Sequence, residues 1–351
     1  MNDAQAPLDL PDAIADEAQL DDLLSRPTGE VVDVLGRLPG DLAVIGGGGK
    51  IGPSLAAMAC RARDAAGGGG RIFVIDRFPD ESVRDRLAAA GAEPIACDLF
   101  DPSAVASLPD AANVIYMVGM KFGTSAAPAA TWAVNALLPA AVAEGYRGAR
   151  IVAFSTGCVY ALTPSGSAGS VETDPLEPIG EYANACVARE RIFEYLSARH
   201  GTATVQVRLN YAVEMRYGVL VDLAEAIAAG EPVDVTMGQF NCIWQGDVNA
   251  AVIRLIDHAA CPPLAINLTG PDKLAVRQVA TRLAKRMGKP VAFTGAESDT
   301  ALLSDASRAF RLLGEPPTPI ERVIDWTAGW ITRGRPTIGK PTHFQSRDGR
   351  Y

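Results

Sequence analysis

The stretch DLAVIGGGGKIGPSLAAM, residues 41–58, decides the fold. DLAVIG is typical of a buried strand, PSLAAM opens a helix, and Gly46, Gly49 and Gly52 lie between them in G-x-x-G-x-x-G spacing. Glycines let the backbone turn tightly and approach a pyrophosphate, and the helix that follows offers free N–H groups and a positive dipole end. This strand–turn–helix context predicts dinucleotide binding rather than a plain glycine turn.

An acidic residue follows the glycines at a suitable distance. RIFVID (71–76) is a second predicted strand, and it ends at Asp76, 24 residues after Gly52. A carboxylate there can accept hydrogen bonds from the adenosine ribose hydroxyls and repels a 2′-phosphate. We therefore expect NAD rather than NADP, although Arg77 follows directly and partly offsets the repulsion.

Strands alternate with helices over the next 130 or so residues. Further apolar strands are predicted at 94–99, 113–119, 150–156 and 204–210, with helices between them. Near-continuously apolar strands that alternate with helices indicate a parallel sheet covered on both faces. The expected fold class is α/β, a Rossmann-like doubly wound parallel sheet with a smaller, interwoven C-terminal substrate region.

The chain is expected to divide around this sheet. The N-terminal extension is polar and punctuated by prolines, with one helix predicted near 16–25, and the C-terminal tail lacks apolar periodicity and is either an ordered arm or a floppy end. The expected divisions are an N-terminal extension (1–40), an NAD-binding domain (41–210, completed by 240–260), a substrate-binding region (211–239 and 261–333) and a tail (334–351).

Composition excludes several classes of function. The 351 residues are 48% hydrophobic and carry a net charge of −9, which argues against a nucleic-acid groove or an anionic membrane surface as the main partner. The sequence has no uninterrupted apolar run of about 18 residues, so no membrane span is expected. The N-terminus lacks a basic region, and the six cysteines form no CxxC pair, so we expect a cytoplasmic protein with reduced thiols. The three histidines are scattered and form no metal-binding pattern, so we predict no metal site.

The glycine spacing resembles that of the extended short-chain dehydrogenase/reductases, the NAD-dependent sugar epimerase/dehydratase family. Further motifs are similar in order over about residues 41–333: CDLFD (97–101), NVIYMVGMKFG (113–123), WAVNALL (132–138) and FSTGCVYA (154–161). The resemblance implies cofactor contacts at Gly46, Gly49, Lys50, Ile51, Gly52, Asp76, Arg77, Asp98, Leu99, Val118, Gly119, Lys121, Asn135 and Tyr182.

The resemblance also implies the catalytic pair. Thr156 would be the catalytic hydroxyl and Tyr182, 26 residues later, the acid/base. A phenol with a pKa near 10 is a poor base at neutral pH and needs a nearby positive charge. The family supplies a lysine four residues after the tyrosine, on the same helix face. Here that position holds Cys186.

The missing lysine leaves three interpretations open. In the first, catalysis survives and another cation acts on Tyr182, with Lys121 the main candidate and Arg189 a weaker one. In the second, the protein binds NAD without chemistry, as a regulatory or scaffold protein. In the third, Cys186 is itself a nucleophile, although a lone helix cysteine is usually a packing residue.

The substrate-binding motifs depart from those of nucleotide-sugar enzymes. Phe240, in FNCIWQGD (240–247), takes the place of the family's R-D-[YF]-[IV]-H-V-x-D arginine, which clamps a diphosphate. We therefore expect a small sugar-like substrate, with a nucleotide-sugar epimerase or dehydratase as the alternative. The predicted substrate residues are Ser155, Asn210, Arg216 and Trp244. The resemblance further implies a homodimer through helices 128–144 and 181–200.

Overall fold

A seven-stranded sheet forms the centre of the protein in the computed structural model, which describes residues 10–124 and 126–350. Every neighbouring pair of its strands is parallel, and the strand order is β7-β6-β5-β4-β1-β2-β3. The strands are β1 Leu42–Ile45, β2 Ile72–Asp76, β3 Glu93–Ala96, β4 Asn113–Tyr116, β5 Arg150–Thr156, β6 Thr204–Leu209 and β7 Leu264–Leu268. The prediction of a doubly wound parallel sheet is confirmed, and the winding reverses between β1 and β4.

The helices cover both faces of this sheet and build the region beside it. They are α1 Glu17–Ser25, α2 Gly29–Arg37, α3 Gly52–Ala65, α4 Glu81–Ala89, α5 Pro102–Ala106, α6 Pro128–Trp132, α7 Leu138–Gly145, α8 Gly180–His200, α9 Val219–Ala229, α10 Gln245–Arg254, α11 Val276–Met287, α12 Ser307–Leu313 and α13 Ile320–Thr332. A π-helical turn, Ala133–Leu137, joins α6 to α7. None of the described helices is both long and apolar enough to cross a membrane.

Short elements complete the substrate region. Two 3₁₀ turns span Gly157–Val159 and Leu255–His258. Pairs of two-residue strands join Thr163–Pro164 to Thr300–Ala301, Ala212–Val213 to Ile243–Trp244, Val233–Asp234 to Phe293–Thr294, and Gln239–Phe240 to Leu274–Ala275.

Alternating side chains of the strands supply two separate cores. Val44 of β1 packs in the core beneath α3 and α10, and the neighbouring Ile45 packs in the core beneath α7 and α8. Successive strand residues point to opposite faces of a sheet. All four residues of β1 are buried, which is why the strand is apolar throughout rather than alternating.

The N-terminal extension holds two helices, where the sequence predicted one. The additional helix, α2, packs Val31, Val34 and Leu35 into the core beneath α3. Leu20 and Leu24 of α1 belong instead to the core of the substrate region, together with residues of α9, α11 and α13. The extension therefore ties the sheet to the substrate region.

One expected boundary changes, and one of the two alternatives for the C-terminal tail is observed. Residues 264–268 were assigned to the substrate region, but their main chain pairs with β6 over five residues, so they belong to the sheet. The tail is an ordered arm: the Ile338 amide donates to the Arg216 carbonyl at 2.9 Å, and Thr342 and Phe344 are buried. The remaining division into domains stays a prediction.

A buried ion pair fastens α8 to the sheet. Glu190 of α8 and Arg208 of β6 have side chains only 1% and 5% exposed, and Arg208 Nη2 donates to Glu190 Oε2 at 2.7 Å. Ser155 donates to Glu190 Oε1 at 2.5 Å, and Arg208 Nη1 donates to the Tyr160 hydroxyl at 2.6 Å. These bonds fix α8 relative to β5 and β6.

We predict that Arg208→Met lowers the free energy of unfolding by about 3–5 kcal/mol, because it leaves the Glu190 carboxylate buried without a partner. Urea unfolding followed by circular dichroism measures the change. The control is Arg191→Met, which breaks an exposed pair with Glu194 and should lower the free energy by about 1 kcal/mol or less. Equal losses in the two variants would show that the buried pair is not the anchor of α8.

Candidate active site

A cavity of about 390 Å³ lies at the carboxyl ends of the central strands. In doubly wound sheets this edge is where ligands bind. Many of the predicted site residues line it: Gly46, Gly49, Lys50, Ile51, Gly52, Gly119, Lys121, Ser155, Thr156, Tyr182 and Asn210. The structure therefore brings the glycine turn and the Thr156–Tyr182 pair to one cavity.

The glycine turn has no room for side chains at two of its positions. Gly46 has a φ of +83°, and a Cβ there would lie 2.7 Å from the Val118 nitrogen. A Cβ at Gly52 would lie 2.3 Å from the Gly47 carbonyl oxygen. The close approach of these backbones leaves the N-terminus of α3 open to the cavity, a cradle that fits a dinucleotide pyrophosphate.

Asp76, the last residue of β2, lies beside the glycine turn. Its carboxylate accepts hydrogen bonds from the Gly48 and Arg77 amides at 2.9 and 2.7 Å. The carboxylate is half-buried, and the Arg77 side chain is exposed. Asp98 and Leu99 follow β3, the neighbouring strand, with Asp98 exposed and Leu99 buried. This arrangement suits ribose hydroxyls at Asp76, and the roles of Asp98 and Leu99 stay predictions.

Lys50 reaches from the glycine turn across the cavity. Its Nζ lies 3.3 Å from the centre of the Tyr217 ring and 4.3 Å from that of Phe122. Burial, together with the charge of Lys121, lowers the pKa of Lys50 to about 7. Contacts with two aromatic faces stabilise the cation, whereas burial and like charge weaken it.

Thr156 and Tyr182 occupy the positions expected of a catalytic pair. Thr156 is the last residue of β5, and its hydroxyl oxygen accepts a hydrogen bond from the Cys158 amide at 3.1 Å. Because that bond uses an oxygen lone pair, the hydroxyl proton is left to donate elsewhere. Tyr182 lies in the first turn of α8 and is half-buried.

The electrostatic surroundings of Tyr182 act in both directions. Burial raises its pKa well above the usual value, the neighbouring Cys186 and Cys158 raise it further, and the charge of Arg189 lowers it. A buried phenol needs a cation to ionise near neutral pH. Arg189 is thus a group that favours the phenolate in this site.

Cys186 is a neutral packing residue. It is fully buried against Val159 and Tyr160 and shares a hydrogen bond with Tyr182. Burial raises the pKa of its thiol to about 11. Reactive cysteines have lowered pKa values and partial exposure, so these features do not suit a nucleophile.

Lys121 lines the cavity, and burial acts against its charged form. Its Nζ lies 5.8 Å from the centres of the Phe122 and Tyr211 rings. Burial lowers the pKa of Lys121, and nearby Cys158 and Asp222 raise it by a smaller amount. The lysine therefore loses charge more readily than an exposed one does.

Asn135 supports the site from behind. It is fully buried in the π-helical turn, donates to the Met120 carbonyl at 2.9 Å and accepts from the Met120 amide at 3.2 Å. Its side-chain oxygen also accepts from Arg189. Its amide group is committed to these partners, and its contact with the cofactor stays a prediction.

Two of the predicted substrate residues line the cavity but are already hydrogen-bonded. The Ser155 hydroxyl donates to Glu190. The Asn210 side-chain nitrogen donates to Asn241 Oδ1 at 2.7 Å. Both Ser155 and Asn210 line the cavity, and their contacts with substrate stay predictions.

The other two predicted substrate residues lie away from the cavity. Arg216 donates to Asp21 of α1 at 2.9 Å and pairs with Glu214. Trp244 is buried edge-to-face against Trp326, with ring centres 5.4 Å apart. The arginine holds the N-terminal extension and the tryptophan packs in the core, and their contacts with substrate stay predictions.

Several lining residues escaped the sequence analysis. Tyr211 has a φ of +45°, a strained conformation for a large residue and one often found at functional sites. Thr342 comes from the C-terminal arm, which has no periodic pattern to reveal it. Other cavity-lining residues that were not predicted include Phe122, Cys158, Tyr217 and Gln245. Cys158 lies in the motif FSTGCVYA and Phe122 in NVIYMVGMKFG, so their positions in these motifs are the sequence signal that could identify them as lining residues.

Comparisons with known proteins agree with this geometry. Residues 42–268 match the NAD dependent epimerase/dehydratase family. No curated protein sequence matches the chain.

Among solved structures, the UDP-glucose 4-epimerase of Thermotoga maritima, determined with UDP-glucose, is 18% identical at a TM-score of 0.68. The Thermus thermophilus UDP-glucose 4-epimerase, determined with NAD, is 21% identical at 0.69. The UDP-glucuronic acid 4-epimerase of Bacillus cereus is 15% identical at 0.69. Each alignment covers 84% of this chain and 99% of the other. The chain belongs to the NAD-dependent epimerase/dehydratase family, and it is an enzyme whose cofactor is NAD.

Proposed function

We propose that the protein transfers hydride at a carbinol of a sugar-like substrate, with Tyr182 as acid/base and Thr156 orienting the substrate oxygen. The observation that carries the proposal is the shared cavity, which the glycine turn, Thr156 and Tyr182 all line. The glycine cradle and Asp76 would hold the cofactor. Bound NAD supplies the hydride acceptor.

The protein's own groups handle the proton. As the carbinol C–H bond breaks, the Tyr182 phenolate takes the hydroxyl proton, and the substrate C–O bond becomes a carbonyl. The free Thr156 proton donates to the same oxygen and holds it toward Tyr182. In the reverse direction Tyr182 returns the proton. Two such steps on opposite faces of the carbonyl give an epimerase, and one step gives a dehydrogenase.

The substrate candidate that the site favours is a small sugar, sugar acid or lactone. Phe240, at the position of the expected diphosphate-binding arginine, is fully buried, and its ring centre lies 6.1 Å from that of Phe344 in the arm. Arg216, which might have replaced that arginine, is held by acidic residues of α1 and by Glu214. Neither position offers a free guanidinium to a diphosphate.

The second candidate is a nucleotide sugar. The similar structures named above are UDP-sugar epimerases, and one of them was determined with UDP-glucose. These similarities support a nucleotide-sugar epimerase or dehydratase at the level of the fold.

We also propose a homodimer through the α6–α7 segment and α8. Leu137 and Tyr195 on these helices are 60% and 63% exposed. The exposure of these two large side chains supports an interface that includes both segments.

Tyr182→Phe should abolish turnover, with a loss of at least about 100-fold, because the ring stays and only the proton-transferring hydroxyl goes. A panel of sugars, sugar acids and UDP-sugars is followed by absorbance of the reduced nicotinamide and by NMR of the sugar, which detects epimerisation without net reduction. NADH binding should persist. Tyr195→Phe on the exposed side of α8 is the control, and full turnover by Tyr182→Phe would overturn the acid/base assignment.

Asp76→Asn should weaken NAD binding about tenfold, a loss of roughly 1.4 kcal/mol, because charged hydrogen bonds to the ribose become neutral. The same change should strengthen NADP binding, since it removes the repulsion of a 2′-phosphate. Fluorescence titrations with NADH and NADPH at one ionic strength measure both. Asp85→Asn, an exposed position on α4, should change neither affinity, and unchanged affinities in Asp76→Asn would remove it from the cofactor site.

Calorimetry with UDP separates the two substrate candidates. We expect no binding of UDP at concentrations that bind the UDP-sugar epimerases, because neither position 240 nor Arg216 offers a free guanidinium to its diphosphate. A sugar acid that binds the NAD-loaded protein under the same conditions would support the smaller substrate. Tight binding of UDP would instead establish the nucleotide-sugar candidate.

A further inference from the structure

We propose that Arg189 is a positioning residue that replaces the missing lysine: its guanidinium stabilises the Tyr182 phenolate from about two turns further along α8. The inference rests on the proposed function, because it takes Tyr182 as the acid/base. It assigns to one residue the charge that Cys186 cannot supply.

The helix geometry brings Arg189 back toward Tyr182. The two residues are seven positions apart, about two turns, and therefore share a face of α8. Side chains on a helix lean toward its N-terminus, so a long side chain at 189 extends toward the turn that carries Tyr182. Arg189 is 4% exposed and lines the same cavity as Tyr182.

Three hydrogen bonds, accepted by groups of β5 and of the π-helical turn, fix the Arg189 guanidinium. Nη1 donates to the Phe154 carbonyl of β5 at 2.8 Å, and Nε donates to the Asn135 carbonyl at 3.4 Å. Nη2 donates to the Asn135 side-chain oxygen. A guanidinium has five N–H donors in a rigid fork, so the group is held in place with donors to spare.

These acceptors are all neutral, so the charge of Arg189 is uncompensated. Within residues 10–124 and 126–350 no carboxylate pairs with it. The adjacent Glu190 is committed to Arg208 and Ser155. A buried charge without a counterion is costly. An anion that forms at Tyr182 during the reaction would offset that cost.

The mutual electrostatic effects agree with this placement. The charge of Arg189 lowers the pKa of Tyr182, and the Tyr182 and Cys186 groups raise the pKa of Arg189. Burial lowers the pKa of Lys121, the other candidate cation. Arginine stays charged at every pH at which proteins are stable, so Arg189 suits the role better than Lys121.

The small residue at 186 is consistent with the same arrangement. A lysine there would place a second cation in the turn between Tyr182 and Arg189, and like charges in a buried site repel. Cys186 is instead neutral and fully buried. The two positions should therefore exchange roles: a cation is needed at 186 or at 189.

The test compares the pH dependence of Arg189→Gln with that of the wild-type protein, both loaded with NAD. Tyr182 ionisation is followed by the ultraviolet difference spectrum against the matching Tyr182→Phe variant, and by the pH profile of turnover. We expect the pKa of Tyr182 to rise by about 1–3 units, so turnover at neutral pH falls and recovers as pH is raised. Cys186→Lys in the Arg189→Gln background should restore both readouts.

Three further variants separate this role from a structural one. Arg191→Gln removes an exposed arginine from the same helix and should leave the Tyr182 titration unchanged. Arg189→Lys keeps a charge and should shift the titration less than Arg189→Gln does, so it carries the test if the glutamine variant fails to fold. Lys121→Met should shift it less than Arg189→Gln.

An unchanged Tyr182 titration and pH profile in Arg189→Gln would overturn the proposal, and so would a larger shift in Lys121→Met. Uniform loss of turnover at every pH without rescue by Cys186→Lys would also overturn it, in favour of a structural role. Turnover that survives Tyr182→Phe would instead refute the proposed function itself, so the two failures are distinguishable.

Discussion

Two neighbouring residues of α8, Arg189 and Glu190, carry opposite charges and are both buried. The site depends on the fact that only the Glu190 charge is neutralised by an ion pair. Glu190 is neutralised by Arg208 of the sheet, which anchors the helix. Arg189 has only neutral hydrogen-bond acceptors, so its positive charge remains directed at the cavity. The ion pair thus does more than fasten the helix. With the Glu190 carboxylate paired to Arg208, Arg189 keeps its charge with only neutral hydrogen-bond acceptors around it.

The parts of this arrangement that local sequence determines were predictable. The glycine turn, the apolar strands and α8 follow from spacing and periodicity, and the structure places them as expected. The position of Tyr182 follows from its interval after Thr156. The function of Asn135 did not follow, because its partners, Met120 and Arg189, are chosen by a π-helical turn that no periodic pattern marks.

The substrate region was less predictable because segments distant in sequence decide what its side chains contact. Arg216 and Trp244 have residue types common in binding sites, which is why the sequence suggests them as substrate residues. The N-terminal helix α1 supplies carboxylates to the arginine, and α13 supplies Trp326 to the tryptophan. A motif position therefore fixes where a residue stands, while the partner that occupies its polar or apolar surface depends on tertiary packing.

The same distant segments bear on specificity. Alignments to the UDP-sugar epimerases cover nearly all of those chains but 84% of this one, so about a sixth of this chain lies outside the shared fold. Both terminal segments contact the substrate region: α1 holds Arg216, and the arm packs Phe344 on Phe240 and places Thr342 in the cavity wall. The shared fold supplies the glycine cradle and Tyr182, and these two segments add further contacts beside them. Similarity in the sheet consequently shows a common fold and says little about the molecule that reacts.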